Sequence, residues 1–322
     1  MSEPAPSMSE ERSRSAAQQL GAAEQHRLAG RPLAAEDICR GLLRDMPSHG
    51  GALHLLGIIA HNAGNAAVAI DLLRRAIAAD ATEPLYFANL GEMCRLSGRL
   101  DEAVAAGRRA TAMSPDHAHA WNNLGIAHYD RGEFEEAEAC YRQALRVMPS
   151  LAEAYSNLGN ALRAQRKLGP AVEAYAMALS LKPDSTFSYQ NLGTTLREQR
   201  RFAEAEAVSR KGLELRPDDG ALLINLALAL SPQGKGAEAV TVLTRSTAVD
   251  PENGRTFYYL ASTLLDLGRI EEAWAAGEKA FELLPTDLEI MRLTQWIGAR
   301  RAAAGPVQAA PTAAQSSGLT TP

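Results

Sequence analysis

A chain of 322 residues, 46% hydrophobic and 22% charged, has the composition of a soluble folded protein, with room for two domains or one extended repeat array. A net charge of −5 argues against nucleic acid as the main partner, since that would need a basic face. Three widely spaced cysteines (Cys39, Cys94 and Cys140) form no CxxC pair, which excludes a zinc knuckle or a disulfide scaffold and points to a reducing compartment.

Residues 1–15 carry acids and no apolar core segment, so they are not a signal peptide and are expected to form a disordered N-terminal arm. From residue 16 the chain repeats itself every 34 residues. A degenerate first copy keeps Ala35, Leu42 and Pro47. The second has Leu53, Leu56, Gly57, Ala60, Ala69, Leu73 and Ala76, with Ala81 where later copies carry proline. Phe87, Leu90, Gly91, Cys94, Ala103, Gly107, Ala110 and Pro115 mark the third. Trp121, Leu124, Gly125, His128, Ala137, Tyr141, Ala144 and Pro149 mark the fourth. The fifth has Tyr155, Leu158, Gly159, Leu162, Ala171, Tyr175, Ala178 and Pro183 at the same places. Three further copies follow in register without an insertion, ending at residue 287.

Numbering each copy from 1, with Ala118 opening the fourth, places 4, 7, 8 and 11 fall on one stripe of a first helix. Places 20, 24 and 27 fall on one stripe of a second. Gly or Ala at places 8 and 20 lets the two backbones approach closely, and the ring at place 4 fills the volume beside them. Proline at place 32 closes the second helix. Gly30, Gly64, Gly98, Gly132, Gly234 and Gly268 sit at the intervening turn, where positive φ is cheap for glycine. Arg166 and Arg200 stand there in two copies, which predicts strained or altered turns. A helix pair this small cannot bury its apolar face alone, so stacking supplies the core. Residues 288–301 read as a capping helix, and residues 302–322, small, polar and Pro-containing, as a disordered tail. The longest apolar run, Ala221 to Leu230, is ten residues against the roughly 20 that a membrane span needs. A cytoplasmic protein is expected.

These residues at this spacing resemble the tetratricopeptide repeat family over residues 16–287. The resemblance implies an all-α fold, a right-handed α-solenoid of about eight helix-turn-helix repeats with a C-terminal cap helix. It also implies that the first helices line a concave face, with places 2, 5, 6, 9, 12 and 13 pointing into the groove.

On that face Asn89, Asn123, Asn157, Asn191 and Asn225 share place 6 in five consecutive copies. Asparagine costs roughly half a kcal/mol against alanine inside a helix, yet its amide can bridge the backbone of an extended peptide. Two readings stand: a peptide-binding ladder, or a family default that serves the fold. Arg95, Arg163 and Arg197 share place 12 and form either a basic strip beside the ladder or a set paired to local acids such as Glu198. Ile224, Leu228, Tyr258 and Tyr259 are surplus to the stacking stripe. They form either an apolar patch for a partner or a second copy, or a surface that the cap or tail covers.

Sharper chemistry is discounted. A two-carboxylate clamp needs Lys and Arg where His119, Asn122, Glu153, Ser156, Phe187 and Gln190 stand. His54 and His61 lie about two helical turns apart, too far for one metal ion. His117 and His119 flank a turn and read as solvent-facing. Gly234 to Gly236 lacks the rest of a phosphate loop, and no nucleophile elbow or metalloprotease motif occurs. No cofactor, metal or catalysis is expected. The partner is expected to be a protein or extended peptide, with self-association as a further possibility and no membrane.

The strings Asn157 to Gln165 and Asn191 to Gln199 also resemble repeats of the O-linked N-acetylglucosamine transferase family. That resemblance implies substrate recruitment, beside or as part of a glycosyltransferase system.

Overall fold

Helices of 13 and 14 residues alternate along most of the chain, because each 34-residue copy gives two apolar stripes separated by a three-residue turn. The computed structural model describes residues 8–304. The described residues form α-helices and one short 3-10 turn, and the chain divides into two compact units, one ending at Pro183 and the other beginning at Asp184.

The first unit holds α1 (Met8–Leu28), α2 (Pro32–Asp45), α3 (Gly50–Asn62), α4 (Ala66–Ala79) and α5 (Pro84–Leu96). It continues with α6 (Leu100–Met113), α7 (Ala118–Asp130), α8 (Phe134–Val147), α9 (Ala152–Ala164) and α10 (Leu168–Leu181). The second holds α11 (Thr186–Glu198), α12 (Phe202–Leu215), α13 (Gly220–Leu230), α14 (Gly236–Val249), α15 (Gly254–Asp266), α16 (Ile270–Leu283) and α17 (Leu288–Ala304). Each unit is an α-solenoid: every first helix packs on the second helix of its own copy, and that second helix packs on the next pair.

Helix starts are set by place 34, which sequence inspection passed over. The side chains of His49, His117, Ser185, Asp219 and Asn253 each accept from the backbone N–H three residues on. Glu83 accepts from the Leu85 N–H. His117, read as merely solvent-facing, is thus an N-cap, its Nδ1 3.0 Å from the Ala120 N.

At the turns the glycines adopt φ of +71° to +82°, and Arg166 and Arg200 adopt +61° in the same place. The turn is therefore unaltered and the strain falls on the arginines, at about 1–2 kcal/mol for a left-handed non-glycine residue.

The space over the place-8 glycine is filled from the second helix, by the residue at place 24, rather than by the ring at place 4. A Cβ on Gly125 would meet the Tyr141 ring at 2.6 Å, and one on Gly159 would meet the Tyr175 ring at 2.6 Å. Both rings are fully buried. Cys39, Cys94 and Cys140 are buried too, and burial pushes the Cys39 and Cys140 thiols up to about 11. They pack rather than react.

The ends differ from expectation. Helix α1 begins at Met8, so residues 8–15 are helical rather than an arm. They carry no proline or glycine, and Glu, Arg and Ser there extend the helix whose Ala16 and Ala23 are buried. Helix α17 covers the last pair through fully buried Ile290 and Ile297 and runs to Ala304 rather than 301. Residues 1–7 and 305–322, the remainder of the expected arm and tail, lie outside the described residues. No helix among the described residues is long and apolar enough to cross a membrane.

Candidate functional site

Within the first unit, α5 packs on α7 and α7 on α9, while second helices of successive pairs make no comparable contact. The second unit repeats this with α11 on α13. The first-helix side is therefore the inside of the curve in each unit, and the side chains at places 5, 6, 9, 12 and 13 meet across it.

That closeness decides what the asparagines do. Three of the five place-6 side chains reach back to place 5 of the preceding first helix, 35 residues earlier. Asn89 Nδ2 donates to His54 Nε2 at 2.6 Å, which requires a neutral imidazole. Burial lowers the His54 pKa and favours that form, with Glu83 and Glu24 opposing. Asn157 Nδ2 donates to Asn122 Oδ1 at 3.0 Å. Asn225 is 5% exposed; its Nδ2 donates to the Gln190 carbonyl at 3.0 Å, and its Oδ1 accepts from Thr194 at 3.2 Å and Arg197 at 2.5 Å.

The expectation of five carboxamides facing an open channel is corrected accordingly. Asn225 ties α13 to α11 and offers nothing to a peptide, and Asn89 and Asn157 hold neighbouring helices together. Asn191 is half-buried. Asn123 differs: the residue 35 places before it is Ala88, which has no polar side-chain atom, and no side-chain hydrogen bond engages Asn123 among the described residues. Ala88 instead lines an open cavity of about 270 Å³ among α5, α6 and α7, with Pro84, Leu85, Ala110 and Ala120 and the polar Glu83, Ser114 and His117. Leu85, at place 2, is 44% exposed.

The arginines do not form one strip either. Arg95 is held by Glu92, through Nε at 2.9 Å and Nη2 at 2.8 Å, and by Asp130 at 2.8 Å. Those hydrogen bonds, Glu92 foremost, keep its pKa above the ordinary guanidinium value. Arg163 is half-buried. Arg197 bonds Asn225 but has no carboxylate within ion-pair distance among the described residues. Burial draws its pKa down, opposed by Tyr259 and Glu198.

The apolar quartet is half-buried rather than an exposed patch. Tyr259 packs against the core of the second unit and lies 5.4 Å from the Tyr258 ring. Arg255 lies over Tyr258 at 5.5 Å, pinned by Glu289 at 2.7 Å and Asp287 at 3.4 Å. Among the described residues no cluster of His, Cys, Asp or Glu could hold a metal ion.

Sequence reasoning read each copy vertically and missed the signal that sorts these residues, the identity of the residue one copy plus one position away. His54, Ala88, Asn122 and Gln190 precede four of the asparagines by 35, and Asp130 and Pro232 follow Arg95 and Arg197 by 35.

Comparison with known proteins agrees with this architecture. A tetratricopeptide repeat profile matches residues 10–84, 97–146 and 224–287, a second matches 151–182 and 188–216, and a TPR repeat profile matches 127–166. Among solved structures, YrrB, described as a TPR protein with an unusual peptide-binding site, is 23% identical. The match covers 60% of this chain and 100% of that one, at a TM-score of 0.51. The pilF protein of Pseudomonas aeruginosa is 21% identical, with 67% and 97% covered and a TM-score of 0.57. A tetratricopeptide repeat protein from Parabacteroides merdae is 14% identical, with 78% and 99% covered and a TM-score of 0.56. At these identities the structures speak for the fold alone. No curated protein matches the chain. Since the repeat profile spans more than half of the residues, and the helix pairs recur in its register, the chain belongs to the tetratricopeptide repeat family.

Proposed function

We propose that this protein is a non-catalytic binding module that takes an extended segment of a protein partner along its first-helix side, with Asn123 as a contact. The observation that carries this reading is the half-exposed Asn123 amide without an internal partner, one register step from the open cavity at Leu85 and Ala88. An amide there supplies one donor and one acceptor to a peptide backbone, and the cavity takes an apolar side chain beside it. Each such bond nets about 0.5–1.5 kcal/mol, so one carboxamide gives weak, sequence-tolerant capture, and the cavity has to add selectivity. YrrB, which shares the fold, is described as having a peptide-binding site, which agrees with this class of function.

The test uses Ala88→Asn, which gives Asn123 the internal partner that Asn157 already has in Asn122 and narrows the cavity. Peptides selected by the wild-type protein from an unbiased display library should bind Ala88→Asn and Asn123→Ala several-fold more weakly, with thermal stability unchanged. Undiminished binding to both variants sinks the reading. Concentration-dependent growth in light scattering, abolished by charge at Leu228 and Tyr258, would favour self-assembly instead.

A further inference from the structure

Arg95 and Arg197 occupy the same place in their repeats, near the end of a first helix, and differ in what surrounds them. Around Arg95 the protein supplies two carboxylates, Glu92 one turn earlier at place 9 and Asp130 at place 13 of the next copy. At Arg197 those two places hold Thr194 and Pro232. A half-buried guanidinium has lost part of its hydration and here gains only a neutral carboxamide oxygen, at 2.5 Å. Such a group is costly without an anion, and one Arg197–Asn225 bond leaves most of its five N–H donors for another partner.

The surroundings hold the guanidinium in place. Asn225 is fixed by the Gln190 carbonyl, and Thr194 donates to the same Asn225 oxygen that accepts from Arg197. Tyr259, two first helices further on in α15, is close enough to raise the Arg197 pKa against the effect of burial, as Glu198 does, and is itself packed on the core. A cation held by packed neighbours, on the inner side of its unit, with both counter-charges of its repeat-mate replaced by uncharged residues, is arranged for an anion from outside.

We propose that Arg197 anchors a carboxylate of an extended acidic segment of a protein partner lying along the first-helix side of the second unit. This rests on the reading of the first-helix side as a peptide-binding surface, extended to the second unit, and adds the partner's chemistry: an aspartate or glutamate side chain at the Arg197 position. Fork geometry suits it, since a guanidinium takes a carboxylate through two parallel hydrogen bonds.

Two labelled Gly-Ser peptides would be compared, one with glutamate at every third residue and one with glutamine at the same places. The wild-type protein should favour the glutamate peptide by about tenfold, the worth of a charge-assisted hydrogen bond of this kind. Thr194→Glu restores the Glu92–Arg95 spacing inside α11 and should erase the preference without lowering the melting temperature; Arg197→Gln should erase it as well. A preference that persists in Thr194→Glu overturns the proposal, and so does equal or absent binding of the two peptides to the wild type. If the two bind equally and Ala88→Asn still weakens peptides selected from the library, the binding surface stands and only the carboxylate anchor falls.

Discussion

The two units use the same repeat to different ends. In the first, Arg95 is closed by Glu92 and Asp130, and the glycines Gly125 and Gly159 receive the rings of Tyr141 and Tyr175. In the second, Arg197 has no carboxylate within ion-pair distance among the described residues, and Gly193 faces the Ser209 hydroxyl, with Oγ 3.2 Å from where a Cβ would stand. The backbone register is shared, yet at these two places the partners differ between the units, and the asparagines run the other way, with Asn123 open in the first unit and Asn225 internal in the second. A period of 34 thus says where a side chain points, and the residue at the facing place decides whether that side chain is structural or available.

The largest expected contrast tests packing. Gly159→Ala should destabilise the protein by about 2–3 kcal/mol in chemical denaturation, because the Tyr175 ring is buried and its hydroxyl is held by Asn160 at 2.7 Å. Gly193→Ala should stay within about 1 kcal/mol of wild type, since the Ser209 hydroxyl, 3.2 Å from the new Cβ, need yield only slightly while keeping its bond to the Ala205 carbonyl, and alanine favours the helix. Equal costs would erase the packing difference between the units.

A smaller contrast separates asparagines that share one repeat place. Asn225→Ala removes three hydrogen bonds and strands the Arg197 guanidinium, an expected loss of about 2 kcal/mol with faster hydrogen exchange in α13. Asn123→Ala should change stability by less than about 0.5 kcal/mol, as for a surface substitution without a partner. A structural loss at Asn123 comparable with that at Asn225 would show that its amide is engaged in solution.

The smallest effect probes where the units agree. Glu138 in the first bonds Gln165 and Lys167 of the next copy and pairs with Arg142, and Glu206 in the second bonds Gln233, Lys235 and Arg210 in the same way. Hydrogen bonding, led by Lys235, brings the Glu206 carboxyl down from an ordinary 4.5 to about 2. Its contribution is therefore present above about pH 4.5 and lost as pH falls toward about 2, since the unfolded chain takes up the proton first. Glu206→Gln should cost about 1 kcal/mol at neutral pH after solvent screening and flatten the acid limb of the stability curve. An unchanged acid limb would remove this clamp from the account of how copies are joined.

Much of the fold is legible in the sequence, for a specific reason. Leu124, Gly125, Ala137 and Tyr141 recur in kind at fixed offsets, and a helix's buried stripe follows from its own spacing. Turn conformation follows too, because Gly132 and its equivalents need positive φ, and the register is strong enough to force Arg166 and Arg200 into it. The extent of α1 is not legible because polar composition resembles that of an arm, whereas Glu, Arg and Ser continue a helix that is anchored further on by Ala16 and Ala23.

The candidate site was legible in its coordinates along the chain and not in its chemistry. Sequence alone determined the repeat, its helix pairs, the buried stripes and the set of residues on the first-helix side, since all of these depend on local period. Tertiary structure alone decided that Asn225 is internal while Asn123 is open, and that Arg95 is neutralised while Arg197 is not. The physical reason is that a polar side chain bonds whatever donor or acceptor lies within about 3 Å, and here that neighbour comes from the next helix of the stack, 28 to 35 residues away in the chain.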